Sequence, residues 1–458
     1  MRAAAVFLVV GFFVLYAWRN WFRSCCFLVL MMAVLEHPDC PKNVMGIQGL
    51  NPWNILLVSV VLSWLFSRRR ESNAWDLPRG IGLTILCQLT LVVVAFLRLW
   101  FDRSQLDLST GRLVSEYLLN TIKWVVPGLL IFDGCRTRAR LQGALFCVLG
   151  LYLLLALQVI RWMPWEILTG EGEALQKRGL KLARVIGYHR VILSTMFAGG
   201  AWAFLNARLL VKDGRLRFLF PVGFVLLTTA MLMTGGRMGC VSWVFTGLVL
   251  GLLRGPRHFF LVPVVLLVVV AGFPAVTERM LQGTGFGGEA TDVSEVTSDR
   301  DLIWPNVVQK IRESPIVGYG RLAMIRTGLR SFWDEKFGHA HNAYLELLLD
   351  NGVIGLLLFV PFYVYVLFCA LKMFRRSADP LDRAVGGAAG AIVMTFLVSS
   401  FGSHTFYPRE ECVPVWVAIF LLLRLRAGVQ EKAPPGATDV NPCTLRMRNA
   451  GADLIGAR

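Results

Sequence analysis

Residues 352–371 read GVIGLLLFVPFYVYVLFCAL and contain no charged side chain. A helix of about 20 apolar residues is long enough to cross the hydrocarbon layer of a membrane. Similar apolar runs recur along most of the 458-residue chain, in which 55% of residues are hydrophobic and only 17% are charged. Soluble globular proteins carry about 25% charged residues. The sequence therefore predicts an all-α, polytopic membrane protein.

The other apolar runs predict how often the chain crosses the membrane. We expect twelve or thirteen spans, because the first two candidates can form one hairpin or one long tilted helix. The first candidate also resembles the core of a signal peptide, but no small-residue cleavage site follows it, so we expect it to be retained. The candidate spans are 4–17, 24–35, 53–67, 80–97, 118–132, 143–160, 190–207, 218–233, 239–253, 258–275, 352–371, 385–403 and 411–425.

The basic residues predict the orientation of these spans. The formal net charge of +17 comes from short clusters of Lys and Arg between apolar runs, and not from one compact basic domain. This pattern is typical of cytoplasmic loops and argues against a nucleic acid partner. The intervening loops are therefore predicted to lie outside the cytoplasm. The basic clusters are Arg68, Arg69, Arg70 and Arg79; Arg136, Arg138 and Arg140; Arg208, Lys212, Arg215 and Arg217; Arg254 and Arg257; and Lys372, Arg375, Arg376 and Arg383.

Spans and loops together divide the chain into four parts. N-terminal transmembrane helices occupy residues 1–275, a large outer loop occupies 276–351, C-terminal transmembrane helices occupy 352–425, and a disordered cytoplasmic tail occupies 426–458. Long loops with their own structure usually carry function. Within the outer loop, Ser298 can cap a predicted helix. Its apolar residues at helical spacing are Leu302, Val307, Val308 and Ile311.

Two histidines close the outer loop, in the run His339-Ala340-His341-Asn342 that precedes residues 352–371. Histidine gains and loses a proton near neutral pH, so it suits the role of general base for a hydroxyl nucleophile. Two other interpretations stay open at this point. The run can be an interfacial polar cap on a helix, or a His-x-His zinc site, although no third ligand follows at an obvious spacing.

Four arginines lie in the predicted outer loops or at their ends: Arg184, Arg190, Arg237 and Arg300. The guanidinium group is always charged and offers a planar fork that fits phosphate oxygens. A charge at membrane depth is costly and is a functional candidate by default. The alternative is an arginine that extends its charged end to the interface. The Asp299-Arg300-Asp301 pattern is too short to indicate a metal–nucleotide site.

A general base and several phosphate-binding arginines on one side of a membrane favour one type of reaction. An acceptor hydroxyl attacks a carbon whose leaving group is a diphosphate, and the arginines stabilise the charge that grows on that leaving group. Because the site is in a membrane protein, the diphosphate is expected to belong to a lipid.

Sequence motifs give these residues a family resemblance. The run 339–345, HAHNAYL, and the run 352–356, GVIGL, resemble the HxHNxYL and GxxGL signature of the O-antigen ligase/polymerase superfamily. The resemblance covers roughly residues 180–425. Weaker matches are 300–304 to RxxxW, 315–320 to PxxGxG, 184–187 to RxxG, and 236–239 to SRxG with Gly236 in place of Ser.

The resemblance implies a fold of the GT-C type with about twelve helices and a periplasmic loop over a cavity in the bacterial inner membrane. It implies a glycosyltransferase with an undecaprenyl-diphosphate glycan donor, inversion at the anomeric carbon, and neither metal nor other cofactor. His341 is then the base and His339 the alternate. The diphosphate would be bound by Arg184, Arg237 and Arg300, with Arg190 as second choice. Asn342 and Tyr319 would support the acceptor or the loop.

The acceptor stays open among three members of this enzyme class. A ligase would use a glycolipid core, a polymerase would use a growing glycan, and a protein O-oligosaccharyltransferase would use a protein hydroxyl. A transporter or flippase for lipid-linked glycan is the hypothesis from another class. Transporters show paired halves or broken helices with charges near mid-membrane, and the sequence shows no such halves.

Ten cysteines are present without CxxC spacing, and most lie inside apolar runs, as small buried apolar residues do. Cys40 and Cys412 can both face an oxidising compartment. A disulfide between them is compatible with the sequence, although no spacing supports it.

Overall fold

The computed structural model describes residues 2–43, 49–71, 75–103, 106, 109–255, 259–284, 296–297, 300–329, 339–402 and 405–428. These residues form helices and no strand, which confirms the predicted all-α class. Ser298, most of the glycine-rich run 283–288 and nearly all of the predicted tail lie outside the described residues.

Within the described ranges, sixteen helices have eight or more residues. In chain order they are α1 Arg2–Ala17, α2 Trp21–Leu30, α3 Pro52–Glu71, α4 Arg79–Phe101, α5 Val126–Gly134, α6 Arg138–Trp162, α7 Gly172–Leu180, α8 Arg190–Ala207, α9 Leu219–Met233, α10 Arg237–Arg254, α11 Leu261–Gly272, α12 Pro274–Leu281, α13 Arg300–Glu313, α14 Ala343–Arg376, α15 Pro380–Ser399 and α16 Val413–Ala427.

Six of the described helices are long and apolar enough to cross a membrane, so the chain is a multi-pass helical membrane protein. They are α4, α6, α10, α14, α15 and the segment Gly214–Met233 that contains α9. Helices α11 and α12 form a seventh candidate, bent by 104° at Pro274, which cannot donate a backbone hydrogen bond. The expected twelve or thirteen spans stay a prediction.

Several predicted spans differ from the observed helices for local reasons. The predicted span 118–132 is divided among a π-helix at Ser115–Leu119, a short helix at Asn120–Lys123 and α5. Pro127 lies in the first turn of α5, where its missing N–H is tolerated and a helix can restart. The first two candidates form separate helices, α1 and α2, which pack through Phe13 and Phe27 with ring centroids 3.8 Å apart.

Helix α8 lies at the centre of the bundle, with 15 of its 18 residues buried. It packs against α9, α10 and α15. A Cβ on Gly199 would lie 3.2 Å from the Cα of Ile392, and a Cβ on Gly387 would lie 2.7 Å from Asn206 Cγ. Small residues thus allow α8 and α15 to approach closely. Because these contacts run in opposite directions along the two helices, Arg190 at the start of α8 lies near the end of α15.

Helix α13 confirms the helix predicted for this loop, and Val307 is buried as its spacing suggests, but Leu302 is not. Ile303 and Val307 are fully buried, whereas the side chain of Leu302 is 43% exposed. Apolar spacing identified the helix correctly. It did not identify which neighbouring residue faces the core, because the helix packs on the rest of the loop and on α14 only in the folded chain.

A backbone contact joins the loop after α13 to the first turns of α14. Tyr319 N donates to Leu349 O at 2.9 Å, and Val353 N donates to Pro315 O at 2.8 Å. Gly318 has φ +58°, and a Cβ there would lie 2.6 Å from Leu349 O. These bonds and close approaches form what we call the glycine interlock, between residues 314–320 and 349–354.

Gly352 supplies the other half of the glycine interlock. It has φ +62° and ψ −161°, which interrupts α14, and a Cβ would overlap the carbonyl group of Ile316. Both glycine motifs of the sequence therefore serve close backbone approach at a left-handed φ, which glycine adopts without steric cost. On the other side of the loop, Arg98 of α4 donates to Val317 O and Gly318 O, each at 2.7 Å.

Asn342 caps the N-terminus of α14. Its Oδ1 accepts hydrogen bonds from Tyr344 N at 3.0 Å and Leu345 N at 3.2 Å. Ala343 N donates to Ser400 O at 2.8 Å, and the hydroxyl of Tyr344 donates to Leu397 O at 3.0 Å. The cap and these two bonds hold the start of α14 against the end of α15.

Alanine at position 318 tests the glycine interlock. We expect Gly318→Ala to lower the free energy of unfolding by about 2–5 kcal/mol, because it combines a left-handed φ with a backbone clash. Gly255→Ala is the matched control: φ is +112° there, but no described atom lies within 4 Å of the added Cβ. Backbone strain alone should cost about 1–3 kcal/mol there, less than strain and a backbone clash together. Equal unfolding midpoints of the two variants in detergent would contradict the interlock.

Alanine at position 342 tests the helix cap. Asn342→Ala removes the acceptor of two backbone N–H groups and should lower stability by about 1 kcal/mol. Asn342→Asp keeps an acceptor oxygen there and should restore most of the loss. Thermal unfolding of both variants measures this, and an aspartate variant as unstable as the alanine variant would argue against capping.

Candidate active site

A polar cavity of about 870 Å³ opens beside the starts of α8 and α14. Its walls come from the segment 116–124, from α8, from the start of α13, from residues 321–325 and 339–346, and from Gly402 and residues 405–411. Four of the predicted site residues line it: Arg190, Arg300, His339 and His341. The fold thus brings together residues that are up to 151 positions apart in the sequence.

The two histidines lie next to each other in the cavity wall. Their ring centroids are 4.1 Å apart, and His341 N donates to His339 Nδ1 at 3.3 Å. Between them, the carbonyl of the buried Ala340 accepts a hydrogen bond from Trp304 Nε1 at 3.1 Å. His341 itself has φ +51°, a left-handed conformation that is unusual for a residue with a side chain. Such backbone strain is concentrated at functional sites.

The electrostatic surroundings keep both imidazoles neutral. Burial, followed by the charges of His339, Arg300 and His189, lowers the pKa of His341 to about 3. Burial is also the largest cause that lowers the pKa of His339. A neutral imidazole has a free nitrogen lone pair at physiological pH. Because Nδ1 of His339 already accepts the His341 N–H, His341 is the better candidate of the two for accepting a proton from a nearby hydroxyl.

Arg190 connects the cavity to the turn between α9 and α10. It is the first residue of α8, is 9% exposed, and donates through Nη1 to Gly235 O at 3.1 Å. Arg237 follows in the same turn and is half-buried. Arg237 does not line the cavity but acts electrostatically on both Arg190 and Arg300.

Gly236, which replaces the usual Ser of the family pattern, fits its surroundings. A Cβ at this position would overlap the hydroxyl of Ser194 on α8. That hydroxyl is itself buried and donates to Val191 O at 2.8 Å. A neighbouring serine thus occupies the space that a side chain at position 236 would need.

Arg300 completes a cluster of three guanidinium groups. It begins α13 and donates through Nη2 to Gly402 O at 2.6 Å. Burial, and next the charge of Arg237, lower the pKa of Arg300. Like charges in one place repel each other and favour a bound anion that neutralises them. The cluster Arg190–Arg237–Arg300 therefore has the composition of a phosphate site beside the histidine pair.

The other predicted residues lie elsewhere. Arg184 is exposed on the short helix Leu182–Val185 and does not line the cavity. The hydroxyl of Tyr319 bonds to Glu313 at 3.1 Å, and its backbone belongs to the glycine interlock. Asn342 is buried and caps α14. The observed contacts of Tyr319 and Asn342 are therefore those of loop support.

Several residues that the sequence analysis did not single out also line the cavity. Arg321 follows the PxxGxG element directly, and Arg409, Glu410 and Glu411 precede the last helix. Burial, together with the neighbouring Glu411, raises the pKa of Glu410 to about 7. Only the proximity of Arg321 to the glycine motif was a usable sequence signal. The carboxylates stand in no recognisable pattern.

Metal ligands and disulfides were open questions of the sequence. Among the described residues, no group of three or more His, Cys, Asp or Glu side chains is arranged to hold a metal ion. Cys40 and Cys412 are both buried, and both are free thiols.

Part of the chain is similar in sequence to known proteins. Residues 222–360 match the family model described as O-Antigen ligase. A curated relative, Exopolysaccharide production protein ExoQ of Rhizobium meliloti (strain 1021), is 26% identical over 147 residues. The match covers 30% of this chain and 31% of the relative, so less than a third of the relative's length is matched. The resemblance seen in the sequence is confirmed for residues 222–360, which match this family model and include Arg237, Arg300 and the histidine pair.

Proposed function

We propose that the chain is a membrane glycosyltransferase that moves a glycan from a lipid-diphosphate carrier to an acceptor hydroxyl. One observation carries this proposal: a pair of histidines with lowered pKa values shares a cavity with Arg190 and Arg300, and Arg237 acts electrostatically on both arginines. A general base and a diphosphate site are the two elements that such a transfer requires. Membership of the family domain supports the same class of reaction.

In the proposed reaction, His341 accepts the proton of the acceptor hydroxyl while the hydroxyl oxygen attacks the anomeric carbon of the donor glycan. The bond from that carbon to the diphosphate oxygen breaks, and the lipid diphosphate leaves with the bonding electrons. The arginine cluster stabilises the charge on the leaving group. Because one displacement occurs, the anomeric configuration inverts. His339 is the alternate base. Arg190 replaces Arg184 as the preferred third arginine, because Arg190 lines the cavity and Arg184 does not.

We further propose that the cavity opens on the periplasmic side of the bacterial inner membrane and binds an undecaprenyl-diphosphate donor. Helix α14 supports this orientation, since it begins at the cavity and ends at Arg375 and Arg376. From Gly352 to Arg376 the helix is about 36 Å long, which is enough to cross the hydrocarbon layer. By the positive-inside rule, its basic end is cytoplasmic and the cavity is outside.

The acceptor distinguishes two candidate functions within this class. A ligase would transfer the glycan to a glycolipid, and a polymerase would transfer it to another glycan. The name of the relative refers to exopolysaccharide production, which favours a glycan acceptor. In-vitro transfer from one defined lipid-diphosphate glycan to a glycolipid, a glycan or a peptide hydroxyl, with EDTA present, separates the candidates. Transfer that stops when EDTA removes divalent metal would contradict a mechanism based on His and Arg alone.

Replacement of His341 tests the proposed base. His341→Ala should reduce transfer about 10²- to 10⁴-fold, the usual contribution of a general base, while the protein still accumulates in the membrane. His37→Ala is the matched control, because His37 lies outside the cavity lining. Glycan transfer by the His341 variant at the control's rate would refute the proposal.

The pH dependence tests the protonation state of His341. Since its pKa is lowered to about 3, the basic form persists as pH falls through 6.5, and kcat/KM should not decline there because of this residue. Glu410, whose pKa is about 7, changes charge in the same range, so the profile is recorded on Glu410→Gln as well. A decline of kcat/KM near pH 6.5 in that variant would show that the base has an ordinary histidine pKa.

A further inference from the structure

Arg321 is a buried cation whose hydrogen-bonding groups are incompletely used. Its side chain is 8% exposed and lines the cavity. Nε and Nη1 are buried and have no hydrogen-bond partner among the described residues. Buried polar groups in folded proteins are nearly always paired, and a buried charge without a partner is costly. An unpaired guanidinium at a cavity wall therefore indicates a ligand of opposite charge.

The fold holds this guanidinium group in one place. It lies over the ring of Tyr407 with its carbon 3.4 Å from the ring centroid, and Tyr117 lies 5.8 Å away. The backbone of Arg321 is anchored by a hydrogen bond from its N to Ala95 O at 3.2 Å. Arg321 directly follows the glycine interlock, so the backbone contact that orients α14 also fixes the position of Arg321. A preorganised planar fork of this kind is typical of carboxylate and phosphate recognition.

The nearby acid does not satisfy Arg321. Asp350 acts on Arg321 electrostatically, but its Oδ1 accepts the backbone N–H of Ala323 at 3.1 Å. Asp350 is buried beneath the cavity wall, next to Asn351, whose amide donates to the hydroxyl of Tyr407. The carboxylate therefore supports the wall without pairing with Nε or Nη1 of the arginine.

Arg321 is held by elements that do not carry the arginine cluster. Its N donates to Ala95 O of α4, and its guanidinium group lies over the ring of Tyr407. Its neighbours on the cavity wall come from the segment 116–124. That wall presents carboxylate, hydroxyl, amide and indole groups, which can bond or stack with a sugar. Its members are Glu116, Tyr117, Asn120, Thr121 and Trp124.

We propose that Arg321 anchors a second oxyanion subsite of the cavity, which binds a phosphate or carboxylate group of the substrate apart from the Arg190–Arg237–Arg300 cluster. This inference rests on the proposed glycan transfer for its choice of substrate. The oxyanion has two sources: an acidic group on the glycan, such as a uronate carboxylate, or the diphosphate of the carrier. Both present the planar or tetrahedral oxygens that a guanidinium fork recognises.

Binding of small probes to the full-length protein in detergent tests the subsite. The probes are glucuronate for a sugar carboxylate, inorganic pyrophosphate for the diphosphate, and glucose as the neutral match of glucuronate. Arg321→Gln should weaken binding of one of the two anions about ten-fold, the loss expected when a charge-assisted hydrogen bond is removed. Glucose binding should not change. Loss for glucuronate alone identifies the glycan as the source, and loss for pyrophosphate alone identifies the carrier.

Two further variants make the result specific. Arg321→Lys keeps the charge but lacks the fork, so its affinity should lie between those of wild type and Arg321→Gln. If Arg321→Gln does not give folded protein, the affinity of Arg321→Lys for the two anions tests the subsite instead. Arg312→Gln removes an exposed arginine outside the cavity lining and should bind both anions normally.

The outcomes separate this inference from the proposed function. Wild-type affinity for both anions in the folded Arg321 variants would overturn the subsite, as would a wild-type protein that binds neither anion. If Arg300→Gln loses pyrophosphate while the Arg321 variants do not differ from wild type, only the second subsite fails. If His341→Ala transfers glycan normally while Arg321→Gln loses an anion, the proposed function fails and the subsite stands.

Discussion

The candidate site depends on the glycine interlock, the backbone contact between residues 314–320 and 349–354. Gly318 and Gly352 both adopt left-handed φ values, and a Cβ on either would meet the opposing backbone. The contact joins the segment that leads to Arg321 with the first turns of α14. The Asn342 cap holds the other end of those turns, directly after His341. The positions of the base and of Arg321 therefore both follow from one arrangement of main-chain hydrogen bonds.

The charged residues of the cavity affect both anion binding and the protonation of His341. The charge of Arg237 acts on both Arg190 and Arg300, which is unfavourable until an anion binds. The same positive field, added to burial, keeps His341 neutral and able to accept a proton. The same field disfavours the imidazolium that forms when His341 accepts a proton, so an anion that neutralises the arginines would also make His341 a stronger base. Glu410 and Glu411 lie on another part of the wall, beside Arg409, whose Nε is 4.0 Å from a carboxylate oxygen of Glu411.

Much of the site was predictable from local patterns. Long apolar runs predicted the helical membrane fold, and the HxHN and arginine motifs identified four of the residues that line the cavity. Sequence patterns were less reliable for burial and for helix boundaries, because both depend on tertiary packing. Apolar spacing in α13 singled out Val307, which is buried, but also Leu302, which is exposed, and it did not single out the buried Ile303. The run 118–132 is apolar enough for one span, yet it is divided into short helices that supply Tyr117 and Trp124 to the cavity.

Residue composition and order were enough to show that the protein folds in a membrane. They also showed which chemical groups its key side chains carry. Hydropathy is a property of each run, and the proton affinity of imidazole and the charge of guanidinium are properties of single residues. Which arginines line the same cavity as the histidines depends on the folded packing. Arg184 and Arg190 are six positions apart and look alike in the sequence, but the turn before α8 leaves Arg184 exposed and directs Arg190 into the cavity. Arg321 is a second example of a candidate binding residue that depends on the fold. Its burial and its missing hydrogen-bond partners are properties of the folded chain, so they cannot be inferred from the sequence.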